Sequence, residues 1–282
     1  MIQERLKALR AEMEKRGITV YVVPTADFHE SEYVGDHFKA RKFITGFTGS
    51  AGTAVITLDE AGLWTDGRYF VQAENQLKDS TVTLYRMGEE GVPTVDEFVK
   101  DRLKEGGCLG FDGRVVNGTW GGKLEKIAAE KNVSMHVTED LIDLIWEDRP
   151  ALSKQPLFIL EEKYSGKSTA DKIADLRKAM KENGADVHIL TSLYDIAWLL
   201  NIRGNDIDYV PVVLSYLVLN ETECIWFLQE EVVDDKIRAY LEENHITTKP
   251  YDAIYDYVPE IPADAVVLMN RGTVNYLSLI HI

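Results

Sequence analysis

Five side chains able to ligate a metal crowd one stretch of this 282-residue chain: Asp27, His29, Glu32, Asp36 and His37. Zinc or manganese accepts carboxylate and imidazole donors of this kind. Their spacing fixes no common face on a helix or a strand, so the stretch also reads as a solvated loop to which His29 is hydrogen-bonded. His29-Glu30 opens the metalloprotease pattern H-E-x-x-H, but Tyr33 stands where the second histidine is required. Asp206 and Asp208 would point the same way on a strand, yet Gly204-Asn205 and Tyr209-Val210-Pro211 enclose them in loop chemistry. Thr48-Gly49-Ser50-Ala51-Gly52 is not a nucleophile elbow, because Thr48 occupies the place of the first glycine. The glycines from 46 to 52 fit a tight loop, or else the lining of a peptide or anion site. The sequence has neither a P-loop nor a dinucleotide fingerprint. No catalytic residue and no metal ligand is assigned from these patterns.

The most distinctive string is Trp64-Thr65-Asp66-Gly67-Arg68-Tyr69-Phe70, which ends a strand and opens a helix. Its structural reading has Asp66 capping the helix while Tyr69 and Phe70 fill the core. Its functional reading puts Arg68 at a rim, where a rigid guanidinium can hold a peptide carboxylate. Arg68 and His29 are therefore the candidate substrate-binding residues.

The elements that must position these groups occur twice. Leu9-Arg10-Ala11-Glu12-Met13-Glu14-Lys15-Arg16-Gly17 reappears as Leu176-Arg177-Lys178-Ala179-Met180-Lys181-Glu182-Asn183-Gly184. Each copy is an amphipathic helix that stops at a glycine, followed by an apolar strand (20–23 and 187–191) and then by Asp27 or Asp195. In the first copy the pattern predicts strands at 19–23, 53–58, 62–65, 81–85, 108–112 and 134–137. Helices are expected at 68–77, 95–103 and 120–131. In the second copy, Ser168 or Thr169 caps a helix that reaches Asn183. A buried turn of helix at 196–200, a hairpin of 212–219 with 223–228, a helix at 232–244 and a strand at 265–269 follow. Arg149-Pro150 and Gln155-Pro156 interrupt the pattern, which places the boundary near 148–157 and gives domains of 1–152 and 153–282. Strands alternating with helices define an α/β fold of two tandem, related domains.

Composition bounds the function. Apolar residues form 45% of the chain and charged residues 28%, a globular mixture. The net charge of −16 repels nucleic-acid phosphates and anionic membranes, so neither is an expected partner. The first seventeen residues form a charged amphipathic helix without the apolar core of a signal peptide. Cys108 and Cys224 lie in apolar strand-like segments of different domains and read as reduced core thiols. A cytoplasmic location is expected.

The chain resembles the N-terminal part of aminopeptidase P, the three-domain cytosolic Xaa-Pro aminopeptidases of the creatinase/prolidase superfamily. The resemblance rests on Asp27-Phe28-His29-Glu30-Ser31-Glu32-Tyr33, on the string from Phe43 to Ala54 and on Trp64 to Phe70. In the second half it rests on Asp195-Ile196-Ala197-Trp198-Leu199-Leu200-Asn201-Ile202-Arg203-Gly204 and on 211–216. It implies two creatinase-N-like domains, each a mixed β-sheet flanked by helices, ahead of a catalytic pita-bread domain. That third domain would hold two divalent metals, usually manganese, on two aspartates, a histidine and two glutamates. The metals would activate a water against the bond before proline. None of those ligands maps onto this sequence, so the resemblance implies a non-catalytic, truncated portion without cofactor of its own.

The resemblance further implies proline-containing peptides as substrates of the full-length enzyme and a homodimeric parent. The portion seen here would shape substrate access and support assembly. Where the third domain docks, the second should carry exposed apolar surface. The last residues, Leu277-Ser278-Leu279-Ile280-His281-Ile282, leave the family's text, and an interrupted reading frame is the expectation there. The alternative is a stand-alone, non-catalytic binding module with the same duplicated fold. A creatinase-like amidinohydrolase fits least, since creatinase has one such domain where this chain has two.

Overall fold

The structure, a computed structural model, describes residues 1–281. The chain divides into two compact units, Met1–Asp27 with Asp36–Ala151, and Phe28–Gly35 with the chain from Leu152 onward. The short segment Phe28–Gly35 thus belongs to the second unit, although the first unit's residues flank it in sequence.

The first unit runs α1 (Ile2–Lys15), β1 (Val20–Pro24), α2 (Ala40–Thr45), β2 (Thr53–Thr57), β3 (Ala61–Thr65), α3 (Phe70–Leu77), β4 (Thr83–Arg86), α4 (Val95–Arg102), β5 (Cys108–Phe111), α5 (Gly118–Glu130) and β6 (Ser134–His136). Leu6, Leu9 and Met13 recur on one face of α1 and are buried. Gly17 ends that helix at φ +68°. Its amide donates to the Glu14 carbonyl, and the Ile18 amide donates to that of Met13 at 2.9 Å. This is a Schellman motif, and it delivers Ile18 into the core at the start of the next strand. The sheet order is β4-β3-β2-β1-β5-β6. Strands β1, β2 and β3 are antiparallel to one another in turn, and β4, β5 and β6 join in parallel.

The second unit adds β7 (Phe158–Ile159), α6 (Glu162–Ser165), α7 (Thr169–Glu182), β8 (Val187–Leu190), α8 (Leu193–Leu200), β9 (Ile202–Arg203), β10 (Ser215–Asn220), β11 (Cys224–Leu228), α9 (Asp235–Glu243), β12 (Thr247–Pro250), α10 (Ile254–Tyr257), β13 (Val267–Leu268) and α11 (Tyr276–Ile280). Its sheet order is β12-β11-β10-β8-β13. With β8 set against β1, each pairing of this sheet matches one of the first in order and direction: β8–β10 and β10–β11 antiparallel, β11–β12 and β8–β13 parallel. The second helix also ends as the first does, with Gly184 at φ +66° and the Ala185 amide on the Met180 carbonyl at 2.9 Å. Even the turn after the fifth strand recurs. Asp112 accepts from the Arg114 amide and Asn117 caps α5; Asn270 accepts from the Gly272 amide and Asn275 caps α11.

Several elements differ from the sequence expectation. The polar and glycine-rich text from 27 to 52 contains α2, which stops at Gly46 in the left-handed region. The helix expected from 232 begins at Asp235, because Asp234 caps it by accepting from the Ile237 amide at 2.8 Å. Residues 230–232 form a separate 3-10 turn. Ser168, rather than Thr169, caps α7. The expected equivalence of Asp27 and Asp195 does not carry over to their surroundings. Asp27 is buried beyond β1, while Asp195 is exposed in the first turn of α8.

Candidate functional site

Arg68 leaves the first unit's sheet at the end of β3. Its guanidinium grips Asp66 with two 2.9 Å bonds, from Nε to Oδ1 and from the second terminal nitrogen to Oδ2. The same Oδ1 accepts from the Arg68 amide at 3.1 Å. Asp66 therefore closes its own turn and does not cap α3, whose N-cap position is held by Tyr69 without a side-chain hydrogen bond. The paired guanidinium holds the Asp66 carboxyl down to about 2, so it stays ionised at physiological pH. Arg68 is 71% exposed and lies over the Tyr69 ring. A fork fixed by a carboxylate, with most of its surface in water, is suited to gripping a ligand carboxylate.

The Gly46–Gly52 loop beside it is tied down from within. Arg41 is buried, and it donates from Nε to Thr25 Oγ1 and from its terminal nitrogens to the carbonyls of Phe47 and Gly49. Burial pulls its guanidinium down to about 10, which leaves it charged at neutral pH. Gln76 accepts from the Thr48 amide at 2.9 Å. Ser50 and Tyr69 share a 2.7 Å hydroxyl bond. Ser50 is thus engaged with a phenol, not with a base that could activate it.

His29 belongs to the second unit and is 2% exposed. Its Nδ1 lies 2.9 Å from the Thr191 carbonyl, which fixes Nδ1–H as the donor. Nε2 then accepts from the Tyr251 hydroxyl at 2.6 Å. The ring packs 4.5 Å from Tyr216. Tyr216 is fully buried beside Tyr251 and Tyr255, and desolvation drives its phenol far above the ordinary range. Asn275 donates to both the Tyr216 and Tyr255 hydroxyls and to the Phe28 carbonyl. Both imidazole nitrogens are committed, so His29 anchors the 28–35 segment within its unit.

The other ligating residues of that stretch are dispersed. Asp36 pairs with Lys39. His37 donates to the Pro150 carbonyl at 2.8 Å, and burial lowers its affinity for a proton. Glu32 is exposed. Asp206 is buried as a backbone acceptor for Gln155 and Leu214, while Asp208 faces water. Among the described residues, no group of three or more His, Cys, Asp or Glu is arranged to hold a metal ion. No helix among them is long and apolar enough to cross a membrane. Cys108 and Cys224 are buried free thiols, and burial pushes the Cys224 thiol up to about 12.

Two surface features were not located by the sequence, which led us to expect exposed apolar surface on the second domain without saying where. In the second unit, α8 buries Leu193, Ile196, Ala197, Leu199 and Leu200 and still exposes Tyr194 and Trp198 on its remaining face. In the first unit, a cavity of about 360 Å³ opens among Met87, Val92, Pro93, Val95, Asp96 and Trp120. Neither is marked by a motif. The first is apolar text that periodicity assigns to a core, and the second joins residues from three separate stretches.

Two models of the creatinase/prolidase N-terminal domain match the chain, one over residues 5–145 and the other over 148–281. The chain belongs to the creatinase/prolidase N-terminal domain family, with two such domains in tandem. Its relatives are aminopeptidases. It is 41% identical over 255 residues to a probable Xaa-Pro aminopeptidase P of Neurospora crassa, covering 89% of this chain and 37% of the relative. It is 36% identical over 281 residues to aminopeptidase P2 of Arabidopsis thaliana, covering 98% of this chain and 39% of that protein. The crystal structure of X-prolyl aminopeptidase from Caenorhabditis elegans, described as a cytosolic enzyme with a di-nuclear active site, superimposes with a TM-score of 0.93 at 32% identity. That match covers 99% of this chain and 48% of the nematode chain. This chain spans about two fifths of the length of the curated relatives it matches.

Proposed function

We propose that the chain is the non-catalytic, N-terminal two-domain portion of a cytosolic, metal-dependent Xaa-Pro aminopeptidase. In this reading the domains comprise residues 1–152 and 153–282. The parent enzyme removes the residue that precedes proline, using two divalent metals, manganese by preference, held outside this chain. It works as a homodimer on proline-containing peptides. The observation that carries the reading is the 0.93 TM-score over 99% of the chain against less than half of an X-prolyl aminopeptidase. The exposed aromatic pair on α8, Tyr194 and Trp198, supports it, since large aromatic side chains on an outer face are suited to being covered by a further domain. Arg68 contributes by direct contact near the peptide, and His29 by holding the 28–35 segment to which it belongs.

The test joins this chain to the remaining part of the nematode enzyme and follows cleavage of a Xaa-Pro peptide with manganese. The chain alone should be inactive and the chimera active. Arg68→Ala in the chimera should raise KM with little change in kcat, because it removes binding that does not strengthen in the transition state. Hydrolysis by the isolated chain would refute the non-catalytic assignment. A folded, metal-loaded chimera without activity would turn the reading toward a stand-alone binding module. For the exposed face, Tyr194→Ser with Trp198→Ser should reduce binding of a hydrophobic dye by the isolated chain.

A further inference from the structure

The 360 Å³ cavity of the first unit lies at one end of its sheet, where β3 and β4 finish and β2 begins, with Thr53 on its floor. Its walls are fixed by hydrogen bonds. The Met87 amide donates to the Thr65 carbonyl at 3.0 Å, which hangs the 87–93 loop from the end of β3. The Trp64 indole donates to the Pro93 carbonyl at 2.8 Å and fastens the loop's other end. Between these points the chain turns through Gly88 and Gly91, at φ +87° and +78°. Beneath the loop, Trp64 stacks on Tyr85 at 4.1 Å and meets Phe98 edge-on. Thr94 and Glu97 form a capping box that sets the first turn of α4. A cavity of this size falls within the range of small-molecule sites.

The lining is apolar apart from Thr53, Thr94 and Asp96, and Asp96 is its one charged group. Asp96 Oδ1 accepts the Trp120 indole N–H at 2.8 Å. Among the described residues Asp96 enters no ion pair, and the Trp120 indole on Oδ1 is its one side-chain donor. An apolar hollow open to water, with a single half-buried carboxylate oriented by an indole, suits a ligand that is apolar at one end and cationic at the other. The chain's charge of −16 favours such a ligand over an anion.

We propose that this cavity binds a primary ammonium group carried next to an apolar side chain, with the ammonium on Asp96 and the side chain against Met87, Val92, Val95 and Trp120. That chemistry is shared by free apolar amino acids and by the amino termini of peptides. The proposal does not depend on the peptidase reading.

The experiment is calorimetric titration of the full chain with leucinamide, N-acetyl-leucinamide, leucine and leucylglycine. Leucinamide should bind and its acetylated form should not. Asp96→Asn keeps the oxygen that accepts the indole bond, yet it should weaken leucinamide about tenfold, as expected for losing a hydrogen bond to a charged group. Val92→Trp should fill the cavity and abolish binding, with circular dichroism confirming that both variants fold. Leucine binding as well as leucinamide would identify free amino acids as the ligand. A preference for leucylglycine and leucinamide would identify a peptide amino terminus. Equal binding of the acetylated probe, an unchanged affinity in Asp96→Asn, or no binding of any probe would overturn the proposal.

Discussion

Two imidazoles report pH in opposite units, and burial sets the sign of both. His188 sits in β8 with Nδ1 on the Leu268 carbonyl, and burial lowers it from its ordinary value of 6.5. His37 in the first unit is lowered for the same reason, reinforced by Arg149. A group whose folded value is depressed binds protons more readily when unfolded, so its contribution favours folding above 6.5 and is lost as pH falls below it. Acidification through that window should therefore lower the melting temperature. His188→Gln should flatten the dependence, measured by scanning calorimetry across the same pH series. A steeper dependence in that variant would contradict the assignment. The side chains that carried the sequence reading behave differently from one another. That Arg68 stands exposed beyond a strand end was legible because its neighbours Asp66 and Gly67 define a turn locally. The surroundings of His29 were not legible, because Thr191, Tyr216 and Tyr251 lie more than a hundred and sixty residues away.

At the level of elements, four helices end in the same way. The second residue after α1, α5, α7 and α9 adopts a positive φ, and the amide of the one beyond it donates to the carbonyl five residues back. The residues in the strained position are Gly17, Asn132, Gly184 and His245. Glycine adopts that conformation freely and asparagine tolerates it, while histidine does so at a cost. A Cβ at Gly17 would meet nothing within 4 Å, so the backbone alone decides the outcome there. Gly17→Ala should destabilise the chain by about 1 kcal/mol. His245→Gly should stabilise it by about 0.5 kcal/mol, the relief of strain exceeding the added freedom of the unfolded chain. Denaturant melts of the two variants check the pair, and a stabilised Gly17→Ala would refute the account. These caps explain why the repeat could be read from text: helix, glycine and strand are consecutive. The α2 helix, the β12 edge and the β7–β9 ribbon were not legible. Each is short, and tertiary pairing rather than local propensity holds it.

At the scale of the molecule, the duplication is nearly complete, and the exception is instructive. Five strands of each unit correspond in order and direction, but the first unit's β6 has no counterpart in the second among the described residues. The second unit instead includes Phe28–Gly35. Cutting the chain at the boundary legible in the sequence would therefore remove part of the second unit's own interior. A fragment from Leu152 onward would lose the imidazole that fills the space between the Thr191 carbonyl and the Tyr251 hydroxyl, together with its packing against Tyr216. Leaving such buried polar groups without that partner costs roughly 2–4 kcal/mol once the vacated volume is included. The fragment should melt several degrees below the second unit of the full chain, and a synthetic peptide spanning residues 27–36 should restore most of the difference. The same peptide with alanine in place of His29 should restore little. Equal melting of the fragment with and without the peptide would show that the segment rests on the second unit without stabilising it.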